Sequence, residues 1–317
     1  MRRHPTVLVT AATGRQGGAT ARALLAEGST SVRVLVRNPE APNAKALAAA
    51  GAELAVGDLD DLASLRAACA GVQGVFSMQS PIVSATGIDF SKEVQQGKNL
   101  IEAALAAGVE TYVHTATSGV GDHRNVAGWA EGRWKEHEVY WENKLATCER
   151  VRSAGFKHWT LILPATFMDH AMLDTSAFVD GHRWVTVLEA DRPVPLIAPE
   201  DVGNASAAAL LNPPRFHGVT LQLAGDVLTP RQLAEVLSRV DGKPYTVQSS
   251  TIEEAVAAGL HPGVARGLTY MNVAPALARP ELASDLGLSL MRFEPWLRQR
   301  RIQAPREALS TGSPSGG

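Results

Sequence analysis

A tyrosine and a lysine four residues apart, Tyr140 and Lys144, are the residues whose types and spacing most directly suggest chemistry. They fall inside a predicted helix, residues 134–154, and a four-residue spacing brings two helical side chains onto one face. A lysine ammonium beside a phenol favours the phenolate, so the tyrosine can exchange a proton while a hydride is transferred to a carbonyl carbon. Thr117 and Ser118, just past a predicted strand, add hydroxyl groups that would orient this carbonyl. The alternative is that the spacing is incidental in an ordinary helix.

A glycine-rich turn near the start of the chain provides a site for phosphate groups. A β-branched apolar run at residues 6–10 predicts a strand buried on both faces, and apolar residues three and four apart then predict a helix ending at Gly28. The helix start offers unpaired N–H groups and partial positive charge to a pyrophosphate, and glycines let the ligand approach the backbone. An ordinary strand-to-helix turn is the alternative, because Ala11 stands where a complete glycine motif has its first glycine. The expected cofactor contacts in this turn are Ala12, Thr13, Gly14, Arg15, Gln16 and Gly17.

The residues that follow the next strands indicate which nucleotide the turn would bind. An arginine after the second strand accommodates the 2′-phosphate of NADP, whereas a carboxylate there binds the ribose 2′-hydroxyl of NAD. Arg37 occupies this position and no acid occurs before Glu40, so we expect NADP(H), with NAD(H) as the alternative. Asp60 or Asp61 would cap the following helix, which leaves Asp58 free to meet the adenine. Further cofactor contacts are expected at the ends of the second, third and fourth strands: Asn38, Asp58, Leu59, Met78 and Gln79.

Strands and helices alternate through the first half of the chain, which indicates right-handed βαβ units and a doubly wound parallel sheet of the α/β class. Beyond the first strand, further strands are predicted at residues 31–36, 53–56, 74–78, 111–116 and 158–163. We expect a nucleotide-binding domain over residues 1–165, to which later strands and helices can return. Residues 166–303 would form mainly a smaller substrate-binding lobe, and residues 304–317, rich in Ser, Gly and Pro, a disordered tail.

Composition limits the classes of function. The chain has 317 residues, 45% of them hydrophobic, and a net charge of −2 without basic clusters, which gives nucleic-acid binding no electrostatic support. No apolar stretch of about 18 residues predicts a membrane span. The first residues lead directly into a strand, so a cytoplasmic protein, monomeric or homodimeric, is the expectation.

Other reactive or aromatic side chains have structural explanations. Cys69 and Cys148 lie far apart in predicted helices and are expected to be reduced, buried thiols. No metal site is expected, because no supporting carboxylate accompanies the spacing of His114, His123, His137 and His170. His137 precedes Tyr140 by three residues and would line a pocket or face solvent. Core packing or an aromatic pocket wall would account for Trp129, Trp134, Trp141 and Phe167.

Taken together, these patterns resemble the NmrA-like branch of the atypical short-chain dehydrogenases, alongside the isoflavone-reductase-like enzymes. The resemblance covers about residues 5–260. It rests on the segments VTAATGRQGG from Val9, LVRNP from Leu35, GDL from Gly57, GKNLIEAA from Gly97, the single Lys144, PATFM from Pro164, DVG from Asp201 and LAGD from Leu223.

The resemblance implies a Rossmann-type domain that binds NADP(H) and a smaller C-terminal α/β lobe that forms the substrate cleft. It places Pro164, Ala165 and Phe167 beside the nicotinamide and Lys144 on the nicotinamide ribose. Three features depart from the family pattern. Ala11 replaces a glycine, which is tolerable if its φ stays negative, Leu163 stands where an arginine is usual, and Tyr140 is an addition.

Two functions are consistent with these features. The first is an NADP-dependent oxidoreductase that reduces a carbonyl, a quinone or an activated C=C bond of a small aromatic or hydrophobic molecule, with catalytic residues Tyr140, Lys144, Ser118 and Thr117. The second is a non-catalytic NADP(H)-sensing regulator, which the family also contains and in which Tyr140 would be incidental. Fold resemblance alone does not decide between them.

Overall fold

The computed structural model of the chain describes residues 4–84, 87–169 and 178–310. Its strands, in chain order, are β1 (Thr6–Val9), β2 (Ser31–Val36), β3 (Glu53–Val56), β4 (Gly74–Ser77), β5 (Ile82–Ser84), β6 (Gly87–Asp89), β7 (Thr111–Thr115), β8 (His158–Pro164), β9 (Thr166–Phe167), β10 (Phe178–Val179), β11 (Arg183–Thr186), β12 (Val194–Ile197), β13 (Thr220–Leu223), β14 (Asp226–Leu228) and β15 (Thr246–Ser249).

Helices connect most of these strands. In chain order they are α1 (Arg15–Glu27), α2 (Pro42–Ala49), α3 (Leu62–Cys69), α4 (Glu93–Ala106), α5 (Lys135–Ser153), α6 (Pro199–Leu211), α7 (Pro213–Phe216), α8 (Pro230–Asp241), α9 (Ile252–Ala257), α10 (Pro262–Met271), α11 (Pro280–Ser284) and α12 (Phe293–Ser310). No helix in the described ranges is long and apolar enough to cross a membrane.

A parallel sheet of seven strands, in the order β13-β8-β7-β4-β1-β2-β3, forms the centre of the molecule. The chain adds β2 and β3 on one side of β1 and then crosses to the other side with β4. This reversal creates a crevice at the carboxyl ends of β1 and β4, where doubly wound sheets bind their ligands. The α/β class and the doubly wound parallel sheet predicted from the sequence are therefore confirmed.

Alternating side chains of the strands separate two hydrophobic cores, one on each face of the sheet. Val7 and Val9 of β1 pack with α1, α2 and α6, whereas Leu8 packs with α3, α4 and α5. Helix α6 crosses α1 so closely that a Cβ at Gly203 would overlap the backbone of Ala19. These contacts hold α1, and with it the glycine-rich turn, against the sheet.

The second half of the chain contributes two smaller sheets and a third core. One sheet has the order β14-β12-β9 and the other β10-β11-β15. Their core joins α8, α10 and α12 through buried residues that include Trp184, Leu196, Leu233, Ala265 and Phe293. Strand β13, by contrast, is an edge strand of the seven-stranded sheet, and helix α6 packs against that sheet. Helix α12 extends to Ser310, into the segment expected to be a disordered tail, and residues 311–317 lie outside the described residues.

Two helices begin after turns that a side chain stabilises. Helix α2 begins at Pro42, after a turn in which the Asn38 side chain accepts a hydrogen bond from the Glu40 amide. Helix α4 begins at Glu93, after a similar turn in which Asp89 accepts from the Ser91 amide. The hairpin of β5 and β6 was not predicted.

Candidate active site

The glycine-rich turn is fixed to the neighbouring strand β4. The Thr10 hydroxyl donates to the carbonyl oxygen of Phe76 over 3.1 Å and accepts from the amide of Met78 over 3.1 Å. The Gly14 amide closes the turn by donating to the Ala11 carbonyl oxygen. A Cβ at Gly17 would overlap the carbonyl oxygens of Thr10 and Ala11, so only glycine fits at this position.

The backbone of Ala11 does not meet the condition under which an alanine is easily tolerated there. Its φ is +51°, in the left-handed region, and not negative. Left-handed backbone costs an L-residue about 1–2 kcal/mol, because its Cβ approaches the following carbonyl. The turn therefore has the backbone of a glycine motif, and the alanine is held in a strained conformation by the bonds on either side.

The start of α1 is open to an anion. Gly14 is the N-cap residue and supplies no side-chain cap, so the first turn keeps its N–H groups for another acceptor. The two side chains that follow point elsewhere. Arg15 forms an ion pair with Asp169 at 3.3 Å, and the buried Gln16 accepts a hydrogen bond of 2.8 Å from the Thr115 hydroxyl. Asn43 of α2 donates to the carbonyl oxygen of Thr13 and supports the turn from the outside.

The expected cofactor contacts after β2 and β3 lie along the same edge of the sheet. Arg37 is exposed and forms no ion pair within the described residues, which leaves its guanidinium available to a ligand. The Asp58 carboxylate accepts from the Asp60 amide over 2.9 Å, while Asp61 caps α3. The Leu59 carbonyl oxygen accepts from Asn99 of α4. A hydrogen bond from Lys92 lowers the pKa of Asp60, with a smaller contribution from the charge of Arg37.

A cavity of about 620 Å³ opens where β4, β7 and β8 end. Ten of the residues predicted for catalysis or cofactor binding line it, namely Gln16, Met78, Gln79, Thr117, Ser118, Tyr140, Lys144, Pro164, Ala165 and Phe167. The remaining predicted contacts, which do not line it, are Ala12, Thr13, Gly14, Arg15, Gly17, Arg37, Asn38, Asp58 and Leu59. The cavity and the glycine-rich turn are therefore neighbouring parts of one crevice, joined through Gln16.

Short backbone contacts shape the floor of the cavity. The Ser118 amide donates to the Pro164 carbonyl oxygen over 2.9 Å, and the Ala165 amide donates to the Leu223 carbonyl oxygen. These bonds tie the segment after β7 to the end of β8, so that Thr117, Ser118, Pro164 and Ala165 face one space. Phe167 follows in β9, which pairs with β12 of the second half of the chain. The site thus lies between the seven-stranded sheet and the sheet of β14, β12 and β9.

Tyr140 and Lys144 share one face of α5, as their spacing predicts. The Lys144 ammonium lies 6.0 Å from the centroid of the Tyr140 ring. Tyr140 is half-buried, packs edge-on against Phe90 and Trp141, and makes no hydrogen bond through its hydroxyl to any described residue. The phenol is therefore available to a ligand in the cavity.

Lys144 is also held by residues that the sequence analysis did not connect to it. Its ammonium lies 2.6 Å from a carboxylate oxygen of Glu93 on α4 and donates to the Gln79 carbonyl oxygen over 3.2 Å. The side chains of Glu93 and Lys144 are 3% and 12% exposed, so this is a nearly buried ion pair at the cavity wall. Burial raises the pKa of Glu93, and the neighbouring ammonium opposes this increase.

Aromatic and imidazole rings form another part of the cavity wall. The buried His123 ring stacks on Trp141, and its Nε2 lies 3.2 Å from Glu142. A hydrogen bond from Arg124 lowers the pKa of Glu142 to about 2. Of the residues whose roles were left open, His137, Trp141 and Phe167 line the cavity, and Trp129 and Trp134 do not. His170 lies outside the described residues.

Tyr270 of α10 is a further cavity residue that sequence reasoning missed. It contacts the rings of Trp134, His137 and Trp141, and burial raises the pKa of its hydroxyl. Nothing in the local sequence marks Tyr270 or Glu93 as functional, because each reaches the site only through long-range packing.

Other titratable groups are explained by core packing. Burial lowers the pKa of His114 to about 3, so its ring is neutral beneath the sheet edge. Cys69 and Cys148 are free, buried thiols, as expected, and burial raises their pKa values to about 11 and 12. The described parts of the chain contain no group of three or more side chains suited to hold a metal ion.

Comparison with known proteins identifies the family. The model of the NmrA-like family matches residues 3–274, most of the chain. The chain belongs to the NmrA-like family. This family assignment confirms the resemblance inferred from the segments around Gly14, Arg37 and Asp201.

Relatives of this NmrA-like protein include enzymes and a regulator. It is 29% identical over 276 residues to an NAD(P)H azoreductase from Xenophilus azovorans, an alignment that covers 87% of this chain and 88% of that protein. An NADPH-dependent quinone oxidoreductase from Escherichia coli, solved with NADPH, superposes with a TM-score of 0.73 at 22% identity over 92% of this chain and 99% of that one. NmrA, a negative transcriptional regulator solved with NADP, has a TM-score of 0.74 at 20% identity over 98% and 99% of the two chains. These two structural likenesses show the fold.

Proposed function

We propose that this NmrA-like protein is an NADP(H)-dependent oxidoreductase that reduces a carbonyl, a quinone or an activated C=C bond of a small aromatic or hydrophobic molecule. One observation carries the proposal. The cavity at the carboxyl edge of the sheet brings a phenol without a hydrogen-bond partner in the described residues, Tyr140, together with Lys144 and the hydroxyls of Thr117 and Ser118. A binding pocket without chemistry requires no such set of proton-exchanging groups.

The residues present fit a dinucleotide phosphate. The glycine at Gly17 lets the start of α1 approach the carbonyl oxygens of Thr10 and Ala11 closely, and the uncapped start of α1 favours the pyrophosphate. Arg37 would bind the 2′-phosphate, with Asn38, Asp58 and Leu59 along the adenosine side. Met78, Gln79, Pro164, Ala165 and Phe167 would surround the nicotinamide in the cavity. NAD(H) remains the alternative cofactor.

The cavity wall favours an aromatic or hydrophobic substrate. Its lining is mainly aromatic and apolar, with Trp141, Phe167 and Tyr270 among its rings. The polar groups that line the cavity include the hydroxyls of Tyr140 and Ser118. The names of the relatives are consistent with this class, since one acts as an azoreductase and another as a quinone oxidoreductase.

In the proposed reaction the chain supplies the proton and the orientation. NADPH, when bound, supplies the hydride. Tyr140 would donate a proton to the substrate oxygen through its hydroxyl, and Ser118 or Thr117 would orient that oxygen. Lys144, whose ammonium is fixed by Glu93 and Gln79, would donate a hydrogen bond to the nicotinamide ribose.

An NADP(H)-sensing regulator is the second candidate. The observation that favours it is that Lys144 has two acceptors already within the protein, so its presence is explained without catalysis. The fold shared with the regulator NmrA is consistent with it. In this case nucleotide binding would change the affinity for a protein partner and no substrate would be turned over.

The variant Tyr140→Phe tests the proposed role of Tyr140 in the oxidoreductase. If the protein is an oxidoreductase, Tyr140→Phe should bind NADPH normally. It should reduce the substrate about 100-fold more slowly, the usual effect of losing a general acid. Tyr245→Phe is the matched control, because its hydroxyl bonds Asp241 away from the cavity. Unchanged turnover in Tyr140→Phe would remove Tyr140 from the mechanism.

A further inference from the structure

The buried ion pair between Glu93 and Lys144 is more than a contact between two helices. Three elements meet at the Lys144 ammonium: α4 supplies Glu93, the end of β4 supplies the Gln79 carbonyl oxygen, and α5 carries the lysine itself. Helix α4 approaches α5 closely at Gly97, one turn after Glu93, where a Cβ would crowd the Thr147 side chain. The close approach lets a short carboxylate side chain reach the lysine.

The number of donors on the ammonium decides what remains for a ligand. A lysine ammonium has three N–H groups. Glu93 and the Gln79 carbonyl oxygen accept two of them, and Lys144 lines the cavity. One N–H group therefore remains for a ligand oxygen, and its direction is set by the other two bonds.

Burying the Glu93 carboxylate at this position costs free energy. Its second carboxylate oxygen is buried and has no hydrogen-bond partner among the described residues. The charged group that faces it there is Lys144, while the neighbouring Lys92 is engaged with Asp60. A buried ion pair contributes little net stability compared with packed apolar side chains. A role in the site would explain why a carboxylate occupies this position.

We propose that Glu93 is a positioning residue that aims the remaining N–H group of Lys144 at the nicotinamide ribose and neutralises the lysine charge. This inference rests on the proposed function. Protonation of Glu93 releases Lys144, so the affinity for NADPH falls as the pH decreases. The direction of the pKa shift agrees, because burial raises the pKa of Glu93 and brings its protonation closer to neutral pH.

The test is the affinity for NADPH, measured by fluorescence titration between about pH 5 and pH 8. Glu93→Gln should bind NADPH about tenfold more weakly than the natural protein at the upper pH, the effect of losing one charge-assisted hydrogen bond. It should also lose the part of the pH dependence that Glu93 causes. Glu102→Gln is the matched control, since Glu102 lies on the same helix in an exposed pair with Arg66 and should leave the profile unchanged.

If Glu93→Gln does not fold, the same titration is made with Glu93→Asp. The aspartate retains the charge but is one methylene shorter, so it should give an intermediate affinity and keep the pH dependence. A purely structural role would lower stability without changing the shape of the profile. NADPH binding by Glu93→Gln that is as tight as in the natural protein, with the same profile, would overturn the inference and leave the proposed function intact. Absence of NADPH binding by the natural protein would overturn both.

Discussion

Replacing Lys144 with methionine should reveal how strongly the site depends on its buried ion pair. Methionine occupies a similar volume but removes the ammonium, which leaves the 3%-exposed Glu93 carboxylate without its compensating charge. Breaking a buried pair from one side typically costs about 3–5 kcal/mol of folding free energy. We expect a loss of this size at pH 8.

The loss should depend on pH in a defined direction. Burial raises the pKa of Glu93 in the folded protein, and without Lys144 it rises further. A carboxyl group whose pKa is higher in the folded than in the unfolded state stabilises the fold below its unfolded pKa and loses that contribution as the pH rises. The deficit of Lys144→Met should therefore be smaller at pH 5 than at pH 8.

Urea unfolding at these two pH values measures the effect. The double variant Glu93→Met/Lys144→Met should recover most of the stability, because apolar side chains of similar size replace a buried pair at little cost. Lys157→Met is the matched control, since Lys157 pairs with Glu110 on the surface and its loss should have little effect. The reasoning is refuted if Lys144→Met loses the same free energy at both pH values, or no more than Lys157→Met.

Three further variants test the cofactor site. Arg37→Ala should raise the Kd for NADPH about 10- to 100-fold and leave NADH binding unchanged, as expected for loss of a charge-assisted bond to the 2′-phosphate. Arg150→Ala, an exposed arginine on α5, is the control, and equal losses for both nucleotides would contradict the assignment of Arg37. Gly17→Ala should abolish tight NADPH binding, because the added Cβ displaces the glycine-rich turn. An unchanged affinity for NADPH would contradict the proposal that this turn binds the pyrophosphate. Ala11→Gly relieves roughly 1 kcal/mol of left-handed strain, so its Tm should not fall, whereas a clear decrease would argue against the strained turn.

The parts of the fold determined by local pattern could be predicted from the sequence. Strands β2 and β3 have the predicted bounds, because a short run rich in apolar residues after a helix and its ending glycine leaves few alternatives to a parallel strand. Gly28 ends α1 in the left-handed conformation, as its position indicates. Thr229 is a residue type favoured at helix starts, and it caps α8 through a capping box with Gln232.

The parts that depend on long-range packing could not be predicted. In the sequence Glu93 is an ordinary acidic residue of a helix, because its contact with Lys144 exists only once α4 packs against α5. Tyr270 lies 130 residues from Tyr140 in the chain, and no periodic pattern connects α10 to the cavity. The positive φ of Ala11 was missed because it follows from the bonds around the turn, whereas its residue type favours a negative value. The position of the cavity at the carboxyl edge of the sheet was predictable, and the network around Lys144 was not.

The most direct test of the account is a fluorescence titration with NADPH and with NADH, followed by NADPH consumption against a panel of quinones and aromatic ketones. The account predicts tighter binding of NADPH than of NADH and turnover of at least one compound in the panel. Tight binding without turnover would favour the regulator over the oxidoreductase. Failure to bind either nucleotide would contradict the account as a whole.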